Sequence, residues 1–78
     1  MERRLLFLRG LSGLSQFTLA RKSGVPRVRL SLAETGQLEL SVKEEERIRT
    51  VLLRAIEARA LQLQTVLADA RADGGTLA

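Results

Sequence analysis

The chain has 78 residues, a length that suits one domain with a small hydrophobic core. It contains no cysteine and no histidine, which excludes disulfides and thiolate or imidazole metal sites and removes the commonest catalytic nucleophile and general base. No apolar run approaches the roughly 20 residues that span a bilayer, and the run from Leu5 to Leu8 is too short for a signal peptide. We therefore expect a cytoplasmic protein that is not an enzyme and carries no metal or other cofactor.

Positive charge is concentrated in the first half of the chain. The formal net charge is +4, from 13 lysine and arginine residues against 9 acidic ones. Residues 1–36 hold seven basic and two acidic side chains, whereas residues 37–78 hold six basic and seven acidic ones. This asymmetry indicates a module that binds a polyanion, joined to a segment with another role.

The first half is predicted to form three short helices, over residues 2–9, 16–23 and 26–34. The first would bury Leu5, Leu6 and Leu8, and residues 10–14 would form the turn that follows it. No strand pattern is evident, because the alternating leucines of residues 38–42 are better explained as a packed linker.

Local signals mark the ends of these helices. Ser15 is a good N-cap for the second helix. Gly24 lies where that helix must end, in a position that favours a positive φ. Pro26 suits the first turn of the third helix, where its missing N–H is not needed. Gly36 would then end the third helix.

The second half is predicted to be one long helix, from Ser41 to about Ala72. Ser41 and Glu44 have capping-box spacing, and the adjacent carboxylates favour the positive end of the helix dipole. The predicted organisation is therefore a helix-turn-helix unit over residues 1–40, the long helix over 41–73 and a disordered tail over 74–78. The expected fold class is all-α, a helix-turn-helix bundle of three short helices followed by one long C-terminal helix.

Two short helices joined by a tight glycine turn make residues 16–35 a helix-turn-helix. The small Ala20 permits close approach of its two helices. Four apolar side chains are expected to pack the second helix against the third: Leu19, Val25, Leu30 and Ala33. The other face of the third helix is polar and basic. We expect that face to reach base edges in the major groove of DNA, through Arg27, Val28, Ser31 and Leu32.

The spacing of these residues resembles a known family. The matching positions are Arg9, Gly13-Leu14-Ser15-Gln16, Leu19-Ala20, Gly24-Val25 and Glu34-Thr35-Gly36. They are similar to the Cro/lambda-repressor-like helix-turn-helix family, often called the XRE family, over about a third of the chain. Pro26 and Leu32 depart from that pattern, which usually has Ser or Thr at the first position and a long polar residue at the second.

The resemblance implies roles for individual residues. Gln16 would bind a phosphate or brace the third helix, and Arg9 would form an ion pair with Glu34. Charge and position suggest further phosphate contacts from Arg21, Lys22 and Arg29. Phe17, at a position that is often polar in the family, is expected to be packed rather than inserted between bases.

An apolar stripe follows the long helix at three- and four-residue steps. Near the start of the helix, Ile48, Val51, Leu52 and Ala55 would pack on the helix-turn-helix unit. The remaining stripe has no partner within so short a chain, so we expect a homodimer. The predicted dimer interface is Leu52, Ile56, Leu63, Leu67 and Ala70, with Ala60 or Arg59 between them.

These observations favour a sequence-specific, DNA-binding transcriptional regulator, most simply a repressor in a bacterial or phage-infected cell. One alternative is an antitoxin-type protein whose C-terminal helix binds a different protein. Another is an adaptor that uses the same fold without reading DNA.

Overall fold

A computed structural model describes residues 2–72, and these residues form four helices with no β-strand. The helices are α1 (Glu2–Ser12), α2 (Gln16–Ser23), α3 (Arg27–Glu34) and α4 (Val42–Ala72). The predicted all-α architecture is therefore confirmed. The tail predicted over residues 74–78 lies outside the described residues.

The core lies where all four helices meet. Its buried apolar side chains are Leu5, Leu19, Val25, Leu30, Ala33, Ile48 and Leu52. Removing each large side chain of this set from water stabilises the fold by about 1.5–3 kcal/mol. Leu38 and Leu40, in the segment between α3 and α4, pack against this core as predicted, whereas Val42 starts α4 and is 72% exposed.

Helix α1 runs three residues further than predicted. Gly10, expected to begin the turn of residues 10–14, instead continues the helix, because a glycine inside a helix costs only about 1 kcal/mol. The turn occurs instead at Gly13, which has a φ of 73°. Arg59 of α4 donates a hydrogen bond from Nη1 to the Leu11 carbonyl at 3.1 Å, which satisfies the end of α1. A Cβ on Gly13 would lie 3.0 Å from that same guanidinium nitrogen.

The predicted packing of α1 is wrong at one residue. Leu5 is completely buried and Leu8 packs against the core, but Leu6 is 46% exposed. Adjacent positions on a helix point about 100° apart, and with Leu5 turned into the core Leu6 lies at the edge of the buried face.

Capping residues define the ends of the two helices in the helix-turn-helix. The Ser15 hydroxyl accepts the Thr18 N–H at 3.1 Å, as expected of an N-cap. Gly24 adopts a left-handed conformation with a φ of 75°, and its N–H donates to the Ala20 carbonyl at 2.9 Å. Pro26 is extended, with a ψ of 140°, and acts as the N-cap of α3, so this helix begins one residue later than predicted.

Helix α4 starts at the predicted capping box. Glu44 N donates to the Ser41 hydroxyl at 3.1 Å, and Ser41 N donates to Glu44 Oε1 at 2.9 Å. The helix has 31 residues, which at about 1.5 Å per residue accounts for most of the molecule's 50 Å length. Every residue from Glu57 to Asp69 is exposed, so the second half of α4 projects beyond the core.

Candidate nucleic-acid interface

The outer face of α3 is the most exposed part of the helix-turn-helix. Leu30, Ala33 and Glu34 are buried on the inner face. The four predicted base-contacting residues lie together on the outer face and line one shallow groove: Arg27, Val28, Ser31 and Leu32. Arg27 is exposed and Val28 is 70% exposed, whereas Ser31 and Leu32 are half-buried. The predicted face is thus a single surface open to a ligand.

Three cations near this face have no acidic partner within residues 2–72. Arg27 begins α3, and Arg21 and Lys22 lie in the last turn of α2. All three side chains are exposed, and none belongs to an ion pair of the described chain. Their positive charge is therefore available to an external anion.

Beneath α3, Glu34 joins three helices through its carboxylate. Its side chain is only 3% exposed. Arg9 of α1 donates to it from Nε at 2.6 Å and from Nη2 at 3.1 Å, and Gln16 of α2 donates from Nε2 at 2.6 Å. The predicted Arg9–Glu34 ion pair is therefore present, and Gln16 is positioned as a brace for α3. A buried carboxylate with three donors sets the orientation of α3 on α1 and α2.

Arg29 has a partner that the sequence did not reveal. Its Nε and Nη2 each donate to a Glu44 carboxylate oxygen at 2.7 Å, in a bidentate pair. The Arg29 guanidinium, with the capping hydrogen bond from Ser41, lowers the pKa of Glu44 from 4.5 to about 2. In the free protein this side chain thus joins α3 to the start of α4. No local signal predicted this pair, because it depends on where the packing of α4 on α1 and α2 places the start of α4.

Phe17 is expected to be covered by the C-terminal half of the chain or by a partner, and the C-terminal half does not cover it. It is 63% exposed and lies beside Ala20, Pro26 and Arg27 in a shallow depression next to the α2–α3 turn. Helix α4 crosses α2 on its other side, at Lys22 and Ser23, and therefore does not cover this residue. An exposed aromatic ring next to a free arginine extends the candidate interface toward α2.

One residue of the predicted dimer interface is wrong. Leu52 is completely buried in the core and cannot contact a second chain. The neighbouring Leu53 is 45% exposed, and Leu63 and Leu67 are 61% and 51% exposed. Ile56 and Ala70 are half-buried. Sequence spacing contained the signal for Leu53, which lies three residues before Ile56 and seven before Ala60.

Comparison with protein-family models yields no match. Curated protein sequences and solved structures likewise yield no significant match. None of the helices within residues 2–72 is both long and apolar enough to cross a membrane.

Proposed function

We propose that this protein is a sequence-specific DNA-binding regulator, most simply a repressor, that inserts α3 into the major groove. The observation that carries the proposal is the outer face of α3, where an unpaired Arg27 stands beside three side chains suited to base edges. The helix is held from below by the Glu34 network and leaves this face free. The sequence resemblance to the Cro/lambda-repressor-like family supports the same function.

The chemistry of the four side chains suits base recognition. An α-helix of about 10–12 Å diameter fits a major groove about 12 Å wide. Arg27 can donate two parallel hydrogen bonds to guanine O6 and N7, and the Ser31 hydroxyl can donate or accept. Val28 and Leu32 would contact thymine methyl groups. The proposed target is therefore a short site containing both guanine and thymine.

Phosphate contacts would fix the position of α3 on the duplex. Arg21 is an exposed cation in the depression that also holds Arg27, and Lys22 is exposed on the side of α2 that faces α4. Gln16 would contribute chiefly by bracing Glu34. Arg29 would have to exchange Glu44 for a phosphate, so we expect it to contribute less to DNA affinity than Arg21 or Lys22.

Regulation would require a homodimer that binds two half-sites, formed through the projecting half of α4. A bound dimer in the cytoplasm would then occlude a promoter or recruit a partner there. The proposed base and phosphate contacts are made by side chains directly, without a metal or other cofactor.

The test is a selection of bound sequences from a random duplex library at a stated salt concentration, because phosphate contacts make affinity salt-dependent. We expect a short inverted repeat with fixed spacing. Weak binding without sequence preference, and with steep salt dependence, would contradict a sequence-specific regulator.

The exposed apolar stripe of α4 favours a second candidate function. An antitoxin-type or adaptor protein would use that stripe to bind a different protein. Sedimentation of the purified chain separates the two candidates, because a homodimer covers its own stripe whereas a chain that awaits another protein stays monomeric.

A further inference from the structure

The projecting half of α4 carries a regular apolar repeat. The residues are Leu53, Ile56, Ala60, Leu63, Leu67 and Ala70, at steps of three and four. This is the spacing of a coiled-coil seam, and all six positions are apolar. The leucines at 53, 63 and 67 are 45–61% exposed, so the rest of the described chain leaves most of the seam uncovered. Leu52, which disturbs the repeat in the sequence, points into the core.

We propose that the seam pairs with the same seam of a second copy in antiparallel orientation, about a two-fold axis between residues 61 and 62. This inference rests on the proposed function only for its biological use, since the pairing itself is a property of the free protein. In an antiparallel coiled coil, an a position of the heptad in one helix lies opposite a d position in the other helix. The pairs are then Leu53 with Ala70, Ile56 with Leu67 and Ala60 with Leu63, each formed twice.

The sizes of the side chains favour this orientation. Both alanines of the seam meet a leucine of the second copy. The remaining pair joins Ile56 to Leu67, two side chains of similar size. In a parallel, in-register pair, Ala60 would face Ala60 and Ala70 would face Ala70. A layer of paired alanines between the Ile56 and Leu63 layers, and another at the end of the seam, leave space unfilled, which protein interiors avoid. A different protein as occupant would not account for this self-complementarity.

The antiparallel axis also sets the distance between the two helix-turn-helix units. Ile48 of each copy lies about 13.5 residues from the axis, so the two cores are about 40 Å apart along α4. Half-sites on DNA repeat at about 34–36 Å per turn. The separation of the two cores is therefore of the same order as the half-site spacing.

Paired leucine variants test whether the seam dimerises. Leu63→Asp changes a seam residue, and Leu61→Asp changes a residue of equal type and similar exposure that points about 160° away around α4. We expect Leu63→Asp to raise the dimer dissociation constant at least about a hundredfold, because each dimer would bury two carboxylates in an apolar seam. Leu61→Asp should leave it unchanged. Sedimentation equilibrium without DNA measures both variants, and circular dichroism verifies their folding.

A single spin label tests the orientation. The chain has no cysteine, so Val42→Cys places one label at an exposed site at the start of α4. The antiparallel dimer predicts two labels about 60 Å apart, whereas a parallel dimer predicts less than about 30 Å. Pulsed dipolar electron paramagnetic resonance measures this distance.

A monomer at about 100 μM, equal damage by the two aspartate variants, or a short label distance would each overturn the antiparallel dimer. These measurements need no DNA, so they fail independently of the proposed function. A monomer that still selects one DNA sequence overturns only the dimer. An antiparallel dimer that selects no sequence overturns only DNA recognition.

Discussion

Arg27 and Arg29 are two residues apart on α3, yet their surroundings differ. Arg29 is held by both oxygens of Glu44, whereas Arg27 is exposed and belongs to no ion pair of residues 2–72. A guanidinium already engaged must lose two charge-assisted hydrogen bonds before it can contact DNA. Arg27 is therefore the stronger candidate for reading bases.

Arg27→Ala should weaken binding to the selected DNA site by about 1–3 kcal/mol, because the proposed bidentate guanine contact would be lost. The thermal unfolding of the variant should match that of the native chain, since the side chain is exposed. Fluorescence anisotropy with a labelled duplex measures the affinity. Arg71→Ala removes one charge at the far end of α4 and serves as the control. Unchanged affinity of the Arg27 variant would remove this residue from the recognition surface.

Glu34, unlike Arg27 and Arg29, is a buried charged residue. Glu34→Ala should lower the free energy of unfolding by about 2–4 kcal/mol, because Arg9 and Gln16 lose their shared acceptor in a mostly buried position. Urea denaturation measures the loss. The exposed Glu39→Ala should stay within about 0.5 kcal/mol of the native chain. Similar values for the two variants would show that the Glu34 network does not stabilise the fold.

Glu44 makes stability depend on pH. Its pKa is lowered in the folded state to about 2, from an ordinary value of 4.5. A carboxyl group of this kind stabilises the fold above about pH 4.5, and its contribution is lost as the pH falls from there toward 2. Glu44→Gln should lack this part of the acid destabilisation. Midpoints of thermal unfolding between pH 5 and pH 2 compare the two chains, and parallel curves would contradict the ion pair.

At the scale of elements, Gly24 determines how α2 turns into α3. Its φ of 75° is unfavourable for any residue with a Cβ, although a Cβ would have ordinary room 3.7 Å from the Arg47 guanidinium. The cost of a substitution is therefore one of backbone conformation rather than of packing.

Gly24→Ala should destabilise the protein by about 1–2 kcal/mol. Gly10→Ala is the matched control, because this glycine lies inside α1 with open space around its Cβ position. It should stabilise the protein by about 0.5–1 kcal/mol through helix propensity. Chemical denaturation of both variants checks the opposite signs, and an equal effect would show that the left-handed turn is not required.

The whole molecule combines a small core with a projecting helix. The core uses only the first part of α4, and the remaining turns add length without adding intramolecular packing. Most helical stability in proteins comes from the packing of an apolar face, and a second chain would supply this packing for the projecting turns.

Leu63→Asp combined with Leu67→Asp should make the protein monomeric and weaken DNA binding by about a hundredfold or more. The reason is that a dimer binds its second half-site at a high effective concentration, which a monomer lacks. Gel-shift titration at several protein concentrations, with Leu61→Asp as control, measures the effect. A double variant that remains dimeric would place the dimer interface elsewhere.

Features set by neighbouring residues could be predicted from the sequence. The Ser15 cap, the Ser41–Glu44 capping box and the Gly24 turn each involve groups within about four positions, so their geometry follows from local chemistry. Helical spacing likewise identified the apolar residues of α2 and α3 that meet in the core.

Only the tertiary structure decided which side chains of these helices contact residues far away in the chain. The sequence placed Leu52 both in the core and in the dimer interface, and the packing of α4 on the bundle buries it and leaves its neighbour Leu53 exposed. The same packing pairs Arg29 with Glu44 and leaves Phe17 uncovered. Such outcomes depend on contacts between residues far apart in the chain, whose positions local propensity does not specify.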